Sequence, residues 1–125
     1  MNAAESCLVL IVDDNEKNLR LARDVLRLAG LQTLEAASGA EGVAQVREYL
    51  PDVVLMDVRL PDMDGRDAVR LLKEDPRTAG IPVVALTSLA MKGDRESLIE
   101  SGFDGYLEKP ISVHDFPDQV RSFCG

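Results

Sequence analysis

The run from Val53 to Val58 is apolar at every position but one, Asp57, so it has no face to offer water. A strand of that composition is covered on both sides, the arrangement of a parallel sheet flanked by helices. Burying a carboxylate inside it costs several kcal/mol unless the group is paired or metal-bound, and Asp57 therefore points to a function on its own evidence.

Three further apolar runs end in polar residues of different kinds. LVLIV runs into Asp13 and Asp14, VVAL into Thr87 and Ser88, and YLE into Lys109. As parallel strands of one sheet, all four would end at the same carboxyl edge, where open α/β sheets bind ligands. Three carboxylates gathered there repel one another unless a cation holds them. The donors are all hard oxygens, with no His or Cys among them, which points to Mg²⁺ or Mn²⁺.

Strand-like and helix-like patterns alternate along the whole chain. Leu8 to Val12 reads as a strand, followed by Leu19, Ala22, Val25, Leu26 and Ala29 at helical spacing up to Gly30. Gln32 to Ala36 is a second strand, and Ser38-Gly39 opens a helix with Ala40, Val43, Ala44 and Val46 inward until Pro51. After the central strand, Pro61 and Gly65 punctuate a loop, and Ala68, Val69, Leu71 and Leu72 fit a helix ending near Asp75-Pro76.

Ile81 to Leu86 is the fourth strand. Met91 to Ser101 is the fourth helix, with Leu98 and Ile99 inward and Gly102 at its end. Asp104 to Glu108 is the fifth strand, and Val113, Phe116, Val120 and Phe123 form one stripe of the last helix. With Asp115 as its N-cap, Pro117 falls in the first turn, where amides lack intrahelical partners. Five βα units with short connections imply a doubly wound α/β domain, a parallel sheet with helices on both faces.

At 125 residues, 46% of them apolar, the chain is one domain of ordinary size. Its net charge of −8 argues against nucleic-acid or anionic-membrane binding, which rest on basic patches. No apolar stretch approaches the roughly 20 residues that cross a bilayer. The start, MNAAES, lacks the features of a signal peptide, so a cytoplasmic location is expected. Cys7 and Cys124 show no metal-ligand spacing and are expected to be reduced, Cys7 as a small strand-start hydrophobe and Cys124 at a frayed end.

The positions at these strand ends resemble, over essentially the whole chain, the receiver domain of two-component response regulators. The match rests on Asp13-Asp14 after the first strand, Asp57 in LMDVRLPDMDG, Thr87 in ALTS and Lys109-Pro110 after the fifth strand. The resemblance implies a flavodoxin-like (βα)5 fold of strand order 2-1-3-4-5, with residues 1–6 a tail and 7–125 the receiver domain. It implies a phosphoacceptor signalling protein rather than an enzyme, one that assists only its own phosphorylation and dephosphorylation.

Carried over residue by residue, the resemblance makes Asp57 the acceptor of a phosphoryl group from a sensor histidine kinase or histidine phosphotransfer protein. Asp14, Asp57 and the backbone carbonyl of Arg59 would ligate Mg²⁺, and Asp13 would hold a metal-bound water. Lys109, Thr87 and the amide of Ser88 would receive the phosphoryl oxygens, and Thr87 and Tyr106 would act as the switch. A cis Lys109-Pro110 junction would aim the lysine into the site. The readout, to a downstream protein effector or through a phosphorylation-dependent dimer, would use the face formed by the fourth helix, fifth strand and fifth helix.

The stretches SLAMKGD and KPIS are similar to single-domain regulators of the DivK type and also to receivers attached to hybrid kinases. With no output domain after Gly125, either a stand-alone regulator or a receiver of a larger protein is expected. Leu89 and Arg59 lie where family members tune attack of water on the acyl phosphate, and are expected to lengthen its lifetime. Asn15, Asn18, Leu19 and Ala22 beside Ile111 form a candidate kinase-docking face, unless Leu19 and Ala22 belong to the core.

Taken singly, these residues have plainer readings. Asp13-Asp14 alone would be a helix-capping pair, Thr87 a β-former, Lys109 a surface lysine and Tyr106 core. His114 reads as solvated, and Asp62, Asp64 and Asp67 as a solvated loop around the metal site. A phosphatase of the haloacid-dehalogenase type would need an acid two residues past Asp57, where Arg59 stands. A docking module without phosphorylation is the other alternative, and an acidic first turn excludes a flavin phosphate there.

Overall fold

The computed structural model describes residues 7–88 and 92–124. Five strands and five helices alternate: β1 (Leu8–Val12), α1 (Glu16–Leu28), β2 (Gln32–Ala36), α2 (Gly39–Tyr49), β3 (Val53–Asp57), α3 (Gly65–Glu74), β4 (Val83–Thr87), α4 (Lys92–Ser101), β5 (Gly105–Glu108) and α5 (Phe116–Arg121). The strands form one parallel sheet, in the order β2-β1-β3-β4-β5 that the resemblance implies. The expected N-terminal tail of residues 1–6, Leu89 and the expected helix start at Met91 lie outside the described residues.

Strand alternation divides the core into two layers. Leu10, Val12, Val54, Met56, Val83 and Ala85 face α2, α3 and α4, where Val43, Val46, Val69, Leu72 and Leu98 meet them. Val9, Ile11, Val53, Leu55, Val84 and Leu86 face α1 and α5, against Val25, Leu26, Phe116 and Val120. Each Val, Leu, Ile, Met or Phe side chain among them taken fully from water contributes about 2 kcal/mol of transfer free energy. With both faces covered, the carboxyl edge is left open for chemistry.

Local signals explain the helix ends. The Asn15 side chain accepts the Lys17 and Asn18 amides, and Ser38 Oγ accepts Glu41 N–H. Gly30, at φ 91°, takes the chain out of α1. Asp115 is the N-cap of α5 and Pro117 falls in its first turn, although the Asp115 side chain makes no capping bond. Lys73 Nζ, at the end of α3, donates to the Ala79 and Ile81 carbonyls and pairs with Asp104 at 2.9 Å.

Several inward assignments are corrected. Ala40 and Ala44 are exposed, and α2 instead lays Gly39, Gly42, Val43 and Val46 inward, close enough that glycine is used at two of the four. Ile99 is half-exposed, leaving Leu98 as the anchor of α4. Val113 lies in the loop before α5 and is exposed, so the buried stripe begins at Phe116. Tertiary packing decides these positions, since helical periodicity tolerates a rotation of one residue.

The expectation of two reduced, unrelated cysteines is overturned. Cys7 and Cys124 are joined as a disulfide, with Cα atoms 5.9 Å apart. Strand order explains the meeting: β1 lies inside the sheet, and α1 and α5 lie side by side on one face, so the first and last described segments converge. Nothing local in the sequence marks a pair 117 residues apart.

Candidate functional site

Asp13 and Asp14 follow β1, Asp57 closes β3, Thr87 closes β4 and Lys109 follows β5, so parallel pairing delivers all five to one edge. Asp13 is buried, with 1% of its surface exposed, and Asp14 is exposed. Asp13 Oδ1 accepts the Asn15 amide at 2.9 Å, which turns the chain into α1 and aims Oδ2 across the edge. There Lys109 Nζ donates to Asp13 Oδ2 at 2.9 Å and to Asp57 Oδ2 at 3.0 Å. The Lys109-Pro110 peptide is cis, as the resemblance implies.

Burial pushes the Asp57 carboxyl above the ordinary carboxylate range, against the opposing pull of Lys109 and of the Arg59 amide, which donates to Oδ1 at 3.1 Å. Burial alone would lower Lys109, but its hydrogen bonds to Asp13 and Asp57 outweigh that and hold it above its usual value. The ammonium therefore stays charged between the two carboxylates.

One carboxylate oxygen from each of Asp13, Asp14 and Asp57 lies within 4.8 Å of the others, an arrangement that could hold a metal ion. The all-oxygen donor set suits a hard divalent cation. Arg59, two residues past Asp57, has an exposed side chain, and its backbone pairs with Asp64 in an isolated bridge that fixes the β3–α3 loop. A cleft of about 330 Å³ opens beside Asp57, lined by Arg59, Arg66, Thr87, Ser88 and Leu98 among others. The Thr87 carbonyl accepts the Lys109 amide at 2.9 Å, joining the ends of β4 and β5.

Tyr106 is half-buried on β5, and the guanidinium of Arg95 from α4 stands 5.2 Å from its ring centre. Arg95 also pairs with Glu108 at 3.1 Å. Sequence reasoning missed Arg95, whose signal is visible only once α4 is laid over β5. It also missed Arg66, which lines the cleft and bonds Ser97 Oγ at 3.0 Å.

The acidic loop is not merely solvated. Asp62 accepts the amides of Gly39 and Ala40 at 2.8 and 2.9 Å, and these bonds hold its carboxyl below the ordinary range. Asp64 caps α3 through the Arg66 amide, and Asp67 pairs with Arg70. On the proposed docking face, Ala22 is buried in the core and Leu19 is packed against it. A small groove of about 50 Å³ remains, lined by Asn18, Leu21, Pro110 and Ile111.

Among the described residues, no helix is long and apolar enough to cross a membrane. Residues 9–121 match the model of the response regulator receiver domain. The chain is 42% identical to the polar-differentiation response regulator DivK of Brucella ovis, over 94% of this chain and 95% of that protein. A response regulator structure from Chloroflexus aurantiacus superposes with TM-score 0.89 at 31% identity, covering 95% of this chain and 98% of the other. The receiver domain of sensor histidine kinase PA1611 from Pseudomonas aeruginosa, solved with a magnesium ion coordinated in its active site cleft, superposes with TM-score 0.88 at 31% identity, covering 96% and 98%. With the five strand-end residues at one edge of a 2-1-3-4-5 sheet, these matches show that the chain belongs to the response regulator receiver domain family.

Proposed function

We propose that Asp57 accepts a phosphoryl group from a phosphohistidine of a sensor histidine kinase or phosphotransfer protein. The observation that carries this reading is the placement of Asp57, half-buried at the mouth of a cleft, between the Lys109 ammonium and the carboxylates of Asp13 and Asp14. A carboxylate oxygen of Asp57 forms the new bond to phosphorus as the phosphorus–nitrogen bond breaks and the imidazole leaves. Such transfer asks little covalent chemistry of the protein and much positioning and charge neutralisation.

Asp14, Asp57 and the Arg59 carbonyl would hold Mg²⁺ or Mn²⁺, with Asp13 beside it. When bound, the ion neutralises charge on the carboxylates and on the transferred group. The magnesium ion in the similar Pseudomonas receiver domain supports this assignment. Lys109 neutralises a phosphoryl oxygen, and Thr87 and the Ser88 amide donate hydrogen bonds to the others. Arg59 narrows the approach of water to the acyl phosphate.

In this reading Thr87 and Tyr106 form the switch, and the α4-β5-α5 face carries the readout to a downstream protein or to a second copy of the chain. Arg95 links α4 to Tyr106 and Glu108 on that face. The groove between α1 and Ile111 is where the kinase or phosphotransfer protein would dock.

Intact mass after incubation with Mg²⁺ and acetyl phosphate tests the reading. One added phosphoryl group of about 80 Da, absent from Asp57→Ala and from a metal-free control, is expected. No adduct from acetyl phosphate or from a phosphohistidine donor would favour a docking module instead.

A further inference from the structure

Cys7 lies at the amino edge of the sheet, the end opposite the carboxylate cluster. At about 3.3 Å per residue along β1, it stands roughly 20 Å from Asp13. Its partner, Cys124, follows α5, and the two join the first strand to the last helix.

The helix on the other side of that link has little to hold it by itself. α5 has six residues, and its N-cap side chain makes no bond to the helix. A helix so short is not stable alone in water and depends on what it docks against. Its anchors are Phe116 and Val120 in the core, the Arg121 guanidinium on the Ala29 carbonyl, Phe123 packed over Gly105, and the disulfide. The disulfide is the one covalent anchor in this set. The two residues also differ in exposure, since Cys7 is 1% exposed whereas Cys124 is half-buried.

We propose that Cys7–Cys124 is a thiol–disulfide exchange site whose oxidation state sets how firmly α5 is held, leaving the carboxyl-edge site unchanged. The co-reactant is a small thiol of the glutathione class. Its thiolate attacks Sγ of Cys124, the less buried of the two residues. The Cys7–Cys124 bond breaks, Cys7 leaves as a thiolate and takes a proton, and Cys124 is held in a mixed disulfide. A second thiol attacks that mixed disulfide, releasing Cys124 as a thiol and the small molecule as its own disulfide. The cystine gains two electrons and two small thiols lose them; the small disulfide drives the reverse. The link to output, through α5 in the α4-β5-α5 face, rests on the receiver reading above, whereas the exchange and the loosening of α5 do not.

The test compares the full chain equilibrated with glutathione disulfide and with dithiothreitol, alongside Cys124→Ser without reductant. Alkylation read by intact mass is expected to add no group to the oxidised protein and two to the reduced one. Hydrogen exchange at the α5 amides is expected to rise about ten-fold on reduction and in Cys124→Ser, while the amides of Arg59 and Gly65 change by less than about twofold. Acetyl phosphate labelling of Asp57 is expected to proceed at the same rate in both states. Two alkyl groups taken up after glutathione disulfide treatment would overturn the exchange site. Unchanged α5 exchange on reduction, or an equal change at Arg59 and Gly65, would overturn its local action. Failure of labelling in both states would count against the receiver chemistry and leave the cystine result standing.

Discussion

Lys109 Nζ stands 3.0 Å from Asp57 Oδ2 while also holding Asp13 Oδ2 at 2.9 Å, so one ammonium bridges carboxylates at the ends of two strands. Lys109→Ala removes the fixed positive charge from a cluster that still wants a cation. Mg²⁺ binding, measured by titration calorimetry, is expected to hold or tighten, and acetyl phosphate labelling to slow by about ten-fold or more. Weaker Mg²⁺ binding with unchanged labelling would contradict this role.

Asp62 bonds the first amides of α2, and its folded-state carboxyl lies below the ordinary value. A depressed folded value stabilises the protein fully above the unfolded value, near pH 4, and that contribution is lost as pH falls through the folded value. Asp62→Asn is therefore expected to lower the urea midpoint at pH 7, with the gap to the parent narrowing below about pH 4. A gap of constant size across that range would show that the carboxylate charge is not what holds α2.

Gly65 passes so close to β3 that a Cβ there would lie 2.6 Å from the Asp57 carbonyl oxygen and 2.9 Å from Val58 Cα. Both are backbone atoms, which cannot swing aside. Gly65→Ala is expected to destabilise the fold by about 2 kcal/mol in urea unfolding, and to disturb Asp57 with it. An unaltered midpoint would mean that the loop relaxes freely.

Arg59 lines the cleft beside Asp57, and Leu89 holds the corresponding position after Thr87 in the sequence. Replacing them with small polar residues, as Arg59→Asn with Leu89→Ser, is expected to shorten the phosphorylated lifetime. Decay followed by intact mass checks this, and an unchanged half-life would remove the idea that these side chains restrict water.

The bounds of β1 and the central position of β3 were legible in the sequence because apolar runs between turn residues leave little choice. The candidate site was legible for the same reason: a carboxylate in an otherwise apolar strand has few explanations. What escaped depends on pairs that meet only in three dimensions. Asp62 on α2, Arg95 on Tyr106 and Cys7 with Cys124 join segments with no shared local pattern. Periodicity defines a stripe without saying where its edge or its helix begins, which is why Ile99, at the edge of α4, and Val113, before α5, are exposed against expectation.

The hydrogen bond from the Lys109 amide to the Thr87 carbonyl has a mechanical consequence. Thr87 ends β4 and Lys109 follows β5, yet their backbones are clasped where one side chain lines the cleft and the other reaches Asp57. A ligand that draws the threonine toward Asp57 pulls on the peptide carrying the lysine as well. In the switch proposed above, the two would therefore move as one jaw, and β5, with Tyr106 on it, would carry the displacement along its own main chain.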